Sequence, residues 1–216
     1  MAARGVFVSI EGGEGAGKST VRQALHELLE ARGFEVVSTR EPGGTVAGEA
    51  IRALLLDPKG SLAAETELLL MFASRAQLVR EVILPALEAG KAVLTDRFTD
   101  ASFAYQGGGR GIAMGTIAEL ERWAALLRPD LSFLLDVDVS VGLARARSRG
   151  EAPDRIESEQ VGFFERVRDA YLARAAAEPR RFHRVDAAQP PEAVRADVTT
   201  TLGRWLDARG ELASDG

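Results

Sequence analysis

Residues 12–19 read Gly-Gly-Glu-Gly-Ala-Gly-Lys-Ser and fit the pattern G-x-x-x-x-G-K-[ST] without a mismatch. An apolar run, Val6–Ile10, leads into this stretch, and a helical pattern from Lys18 to about Arg32 leads out. A glycine-rich loop between a strand and a helix is the context in which this pattern binds phosphate. Gly12, Gly13, Gly15 and Gly17 allow the backbone to approach a ligand and to take positive φ. The amides of Gly12, Gly13, Glu14, Gly15, Ala16, Gly17, Lys18, Ser19 and Thr20 then converge on an anion at a helix N-terminus, where the helix dipole adds to the attraction. Lys18 is placed to reach β- and γ-phosphates, and the Ser19 hydroxyl to bind Mg²⁺. The chain is expected to bind a nucleoside triphosphate.

Around this loop, strand-like runs alternate with helical ones. Strands are predicted at 6–10, 35–39, 92–95, 131–137 and 182–186. The first, third and fourth are nearly continuous apolar runs, as in strands covered on both faces of a parallel sheet. Helices are predicted at 18–32, 45–56, 64–89, 116–127, 141–149, 157–177 and 191–208, with Gly33 and Gly90 as C-terminal stops. The pattern predicts an α/β fold, a three-layer, doubly wound parallel sheet of five strands, within a single domain over 1–216. Ligands should gather at the carboxyl ends of the strands, and residues 211–216 should fray.

The 216 residues are 46% apolar and 27% charged, enough for one well-buried domain. There is no cysteine, so neither a disulfide framework nor a thiolate nucleophile is available. No apolar run reaches the length of a membrane span and no signal-peptide pattern opens the chain, so a cytoplasmic protein without a membrane partner is expected. The net charge of −5 argues against nucleic acid as a partner.

Five further clusters carry candidate chemistry. Thr39-Arg40-Glu41-Pro42-Gly43-Gly44-Thr45 follows the second strand and brings Arg40 to the ligand edge, unless Arg40 is merely solvated. Asp96-Arg97 closes the third strand. Asp96 is placed to support Mg²⁺ and Arg97 to clamp a phosphate, the alternative being a structural ion pair. Ser102, Tyr105 and Gln106 precede a glycine row, Gly107–Gly109, that reads as a close approach to a ligand or as a flexible loop. Met71-Phe72-Ala73-Ser74-Arg75 puts an apolar side chain and a cation on one helix face, suited to a planar base, or else a core residue and a surface one. Arginines 145, 147, 149 and 155 crowd a Gly- and Pro-containing segment, 145–156, that reads as a closing lid over phosphates or as a solvated helix end.

These motifs in this order resemble the bacterial thymidylate kinases, of the P-loop nucleoside monophosphate kinase group, over about residues 5–209. The resemblance implies transfer of the γ-phosphoryl of ATP to dTMP, giving dTDP and ADP with Mg²⁺, in a homodimer. It implies that Lys18 and the loop amides hold ATP, that Ser19 binds Mg²⁺, and that Glu14 lies near the acceptor sugar and phosphate. Arg97 and Arg40 would face the dTMP phosphate, Arg75 the thymine carbonyl edge, Ser102 and Gln106 the base, and Tyr105 the deoxyribose. In one subgroup a P-loop arginine supplies the catalytic cation. This loop has none, so the chain resembles the subgroup that uses lid arginines, here Arg147, Arg149 or Arg155. Relatives place a stacking Phe four residues before the conserved Arg. That position is Met71 here, with Phe72 one residue later, so either Met71 lines the base or a slight helix rotation brings in Phe72, the reading favoured here. Phosphoryl transfer needs positioning and charge neutralisation rather than a strong base, so His26 and His183 are read as surface residues. The rival readings are a kinase for another monophosphate, a nucleotide-hydrolysing switch and an inactive homologue.

Overall fold

The computed structural model describes residues 5–148, 150 and 153–214. Five parallel strands, β1 (Val6–Gly12), β2 (Val36–Arg40), β3 (Ala92–Asp96), β4 (Leu131–Asp136) and β5 (Phe182–Asp186), form one sheet in the order β2-β3-β1-β4-β5. The apolar strands β3, β1 and β4 are the central three, and the mixed strands β2 and β5 are the edges. The chain lays β1, β2 and β3 on one side and then crosses to β4 and β5, so the switch in winding falls beside β1, at the carboxyl end that carries the glycine loop.

Alternation along β1 sends its side chains to two cores. Val6, Val8 and Ile10 pack with Leu25 and Leu29 of α1 (Lys18–Ala31) and with Val198 and Leu202 of α9 (Pro191–Ser214). Phe7 points to the other face, against Leu78, Val79, Ile83 and Leu87. Of the remaining helices, α2 (Val46–Leu56) packs on α3 (Ala64–Leu78), and α7 (Val139–Arg147) on α8 (Val161–Ala177). None of the described helices is long and apolar enough to cross a membrane.

Several elements depart from expectation for physical reasons. The expected single helix 64–89 is α3, a π-helical turn (Val79–Ile83) and α4 (Leu84–Glu88). Pro85 lacks an N–H and its ring crowds the carbonyl four residues back, and the wider turn just before it absorbs both. The helix expected at 116–127 starts earlier, as α6 (Met114–Leu120), and ends in a π-turn (Glu121–Ala125) before Leu126, which has φ 64°. The glycine row is not a loop: after α5 (Thr99–Ser102), residues Phe103–Gly109 are π-helical. Its glycines serve close helix packing, because a Cβ on Gly108 would lie 2.6 Å from the Arg166 carbonyl oxygen and one on Gly109 only 2.4 Å from the Phe163 ring. Residues 157–160 are not part of α8, and α9 runs on to Ser214, through positions expected to fray. Arg149 and the last two residues lie outside the described residues.

Candidate active site

β1 ends in the glycine loop, and three of the loop glycines use their freedom: Gly12, Gly15 and Gly17 have φ of 141°, 66° and 90°. Gly15 also meets α7 so closely that a Cβ would lie 1.9 Å from the Gly142 carbonyl oxygen. Lys18 folds back over the loop, and its Nζ donates to the carbonyls of Gly13 at 3.0 Å and Gly12 at 3.3 Å. Burial pushes the Lys18 ammonium below its ordinary pKa, and nearby Arg97 adds to that shift. An ammonium so placed gains from any anion that enters the loop.

The loop forms one wall of an open cleft with about 1500 Å³ of empty space, lined also by Glu41, Arg52, Met71, Asp96, Arg97, Tyr105 and Gln106. Arg97 is its central cation. Its backbone is left-handed, φ 69°, which costs a non-glycine residue energy and persists only when its surroundings enforce it. Here the Arg97 N–H donates to the Ile10 carbonyl at 2.9 Å, Thr95 Oγ1 donates to the Arg97 carbonyl at 2.8 Å, and the next N–H, of Phe98, donates to Glu11 Oε1 at 2.8 Å. The guanidinium thus reaches Glu14 Oε1 at 2.8 Å and Tyr105 Oη at 2.6 Å, while Tyr105 also donates to Glu14 at 2.9 Å. Burial opposes the Arg97 charge, but Tyr105 and Glu14 outweigh it and hold its pKa well above the ordinary value. Burial, with Glu14 adding, pushes the Tyr105 phenol up. Below Arg97, burial first and then Asp100 raise the Glu11 carboxyl to about 8, although it accepts from Tyr171 and Phe98.

Asp96 closes β3 on the cleft wall, and its Oδ1 is buried without a hydrogen-bond partner. Ser19 lines the same cleft. A carboxylate and a hydroxyl are hard oxygen donors of the kind Mg²⁺ takes. Among the described residues no group of three or more His, Asp or Glu side chains could hold a metal by itself. The pair therefore fits a cation that arrives on a nucleotide's phosphates.

Not every residue singled out in the sequence faces the cleft. Arg40 is exposed and donates from Nη2 to both carboxyl oxygens of Glu49 at 2.9 Å, away from the cleft wall. The cation on that side is Arg52 of α2, whose Nη1 donates to the Pro42 carbonyl at 2.9 Å. Burial lowers its pKa, and Arg40 and Arg97 lower it further, so these cations repel one another where no anion separates them. No local signal marked Arg52, because the helix turn that aims it at the cleft is fixed by packing against α3. Met71, not Phe72, lines the cleft: Phe72 is turned into a cluster with Leu68, Phe103 and Ile117. The helix phase sends the residue four before Arg75 toward the opening and the residue three before it into the core.

Arg75 itself is wholly buried behind that wall. It donates to Glu41 Oε2 from Nε at 2.8 Å and from Nη2 at 2.6 Å, to Ser102 Oγ at 3.1 Å and to the Phe98 carbonyl at 3.2 Å. These bonds leave one Nη1 hydrogen of the guanidinium without a described partner. Ser102 shares that burial. Burial raises the Glu41 carboxyl and Arg75 pulls it back.

In the expected lid, Arg147 is exposed on the last turn of α7, off the cleft wall. Arg155 is tied down instead, donating to the Leu55 carbonyl and to Glu67 Oε2, both at 2.8 Å. Among the described lid arginines, Arg145 lines the cleft, and its Nη1 donates to the Ala187 carbonyl at 2.8 Å. It also borders a second hollow of about 570 Å³, walled by Gly17, Val21, Ala187, Pro191 and Val194. His26 contacts Ser38 and Glu30, and His183 contacts Asp197, all outside the cleft.

A parallel sheet with its glycine loop at the winding switch, facing a cleft lined by the cations Lys18, Arg52, Arg97 and Arg145, defines a P-loop kinase domain of the nucleoside monophosphate kinase type. A family model described as thymidylate kinase matches residues 10–198. The thymidylate kinase of Ectopseudomonas mendocina is 54% identical over 206 residues, 94% of this chain and 98% of that one. The thymidylate kinase of Alkalilimnicola ehrlichii is 54% identical over 94% of this chain and 96% of its own length. The crystal structure of thymidylate kinase from Ehrlichia chaffeensis superposes with a TM-score of 0.77 at 33% identity, covering 92% of this chain and 99% of that one. The chain belongs to the thymidylate kinase family.

Proposed function

We propose that this enzyme transfers the γ-phosphoryl group of ATP to dTMP, with the glycine loop as donor site and the cleft beyond Arg97 as acceptor site. The observation that carries the division of roles is Arg97, held in a strained backbone by three hydrogen bonds and aimed at the point where loop and cleft meet. Gly12–Thr20 and Lys18 hold the triphosphate, and the hollow beside Arg145 takes the adenine. Ser19 and Asp96 would hold Mg²⁺, which supplies charge neutralisation on the phosphates. Arg97 and Arg52 clamp the acceptor phosphate, and Glu14 keeps Arg97 oriented. The acceptor base lies between Met71 and Gln106, with the spare Nη1 hydrogen of Arg75 for a carbonyl. Tyr105 packs on the sugar. An already ionised phosphate oxygen is the nucleophile, so positioning and electrostatics suffice. Of the described lid arginines, Arg145 is the best placed for the transferring group. Exposed Leu54, Leu69 and Trp123 support a homodimer through the faces that carry them, and the nucleotide substrates put the enzyme in the cytoplasm.

The test is turnover of a panel of monophosphates with ATP and Mg²⁺. Wild-type enzyme should prefer dTMP, and Arg97→Ala should lower dTMP turnover by on the order of 10³ while leaving the fold intact by circular dichroism. Faster use of dCMP or AMP than of dTMP, or near-normal turnover by Arg97→Ala, would overturn the assignment.

A further inference from the structure

Gln106 lines the cleft with only 1% of its surface exposed. Its two amide ends are treated differently. Nε2 donates to Glu67 Oε1 at 2.9 Å, whereas Oε1 is buried with no hydrogen-bond partner among the described residues. A buried acceptor left unmade is costly, on the order of 1–3 kcal/mol, so its persistence asks for a ligand donor.

Glu67 decides which end faces which way. It stands on α3, is 1% exposed, and receives Arg110 Nε on both oxygens at 3.2 Å and Arg155 Nη2 at 2.8 Å in addition to Gln106. Arg110 is held in turn by Glu159. Burial opposes ionisation of Glu67, but the bonds from Arg110, Gln106 and Arg155 win and keep its pKa below the ordinary value. An ionised carboxylate only accepts. The Gln106 amide therefore cannot turn over without setting two acceptors against each other.

We propose that Glu67 is a positioning residue for base selection: by fixing the Gln106 amide with its oxygen free, it makes the acceptor site read an N–H donor on the base. Thymine and uracil carry such a hydrogen at N3. Cytosine presents a bare acceptor there and would face the Gln106 oxygen with nothing between them. This rests on the proposed acceptor site and adds a residue that touches no substrate. The same carboxylate also holds Arg155, so Glu67 ties together three side chains from different parts of the chain.

The experiment compares kcat/KM for dTMP and dCMP in Glu67→Gln, Gln106→Leu and the double variant. Glu67→Gln can donate as well as accept and releases the Gln106 amide. It should raise the KM for dTMP about tenfold, with kcat within a few-fold, and lower the dTMP/dCMP ratio by a similar factor, the size of one hydrogen bond. In the Gln106→Leu background, Glu67→Gln should leave that ratio unmoved. Equal loss on both substrates, or a further fall of the ratio in the double variant, would overturn the role of Glu67. NMR on the wild-type protein provides a readout that needs no variant. A hydrogen-bond coupling from the Gln106 side-chain nitrogen to the Glu67 carboxyl should persist with dTMP bound, and its loss there would equally overturn the role. A wild-type enzyme that ignores dTMP would instead overturn the proposed function.

Discussion

The Arg75–Glu41 pair offers the sharpest test of how the base pocket is held together. Both side chains are buried, at 0% and 1% exposure, and a single oxygen, Glu41 Oε2, accepts both guanidinium bonds. Glu41→Ala would remove both bonds and leave the Arg75 cation with Ser102, the Phe98 carbonyl and the face of Phe72, 4.5 Å away. Breaking a buried pair from one side costs about 3–5 kcal/mol, because a charge is left without compensation. At roughly 2–4 °C per kcal/mol for a chain of this length, the melting temperature should fall by about 6–20 °C. Glu41→Gln separates charge from geometry. Its amide oxygen can take the Oε2 position and keep both bonds, so it should lose less than Glu41→Ala. Replacing both residues, as Glu41→Leu with Arg75→Met, should recover much of the lost stability without recovering dTMP affinity, since apolar replacement of a buried pair is often near neutral. Urea unfolding followed by circular dichroism measures all three. A loss under about 1 kcal/mol in Glu41→Ala, or a double variant as unstable as the sum of the singles, would refute the argument.

Two further outcomes follow from packing and titration. Gly109→Ala should cost about 1–3 kcal/mol by overpacking, since its Cβ would meet Phe163, which Phe164 and Arg110 also contact; Phe163→Leu should relieve most of it, and unchanged stability in Gly109→Ala would refute the close packing. Glu11 has a folded-state pKa raised from 4.5 to about 8, so its contribution is full below the lower value, is lost as pH rises through the upper one, and leaves stability falling across that window. Glu11→Gln should flatten that part of the stability–pH curve, and an unchanged slope between pH 5 and 8 would show that Glu11 does not titrate there.

Where chemistry is contiguous in the chain, the amino-acid sequence was sufficient. The glycine loop, its flanking strand and helix, the Asp96-Arg97 strand end and the five parallel strands follow from local pattern, because backbone geometry and strand burial depend on neighbours in sequence. The apolar character of β1, β3 and β4 even marked the three central strands. Tyr105 and Gln106, singled out in the sequence, both line the cleft, since a few residues of one helical segment carry them.

Only tertiary structure decided which way the remaining side chains point. Whether Met71 or Phe72 faces the cleft depends on a rotation of α3 set by its neighbours. Arg52 rather than Arg40 reaches the cleft because α2 leans on α3, and Glu49 draws Arg40 away. The glycine row reads alike as a ligand cradle or as helix packing until α8 is laid against it. The orientation of Gln106 comes from Glu67, 39 residues earlier. These outcomes turn on contacts between residues far apart in the chain, and such contacts exist only once the sheet has brought the helices together.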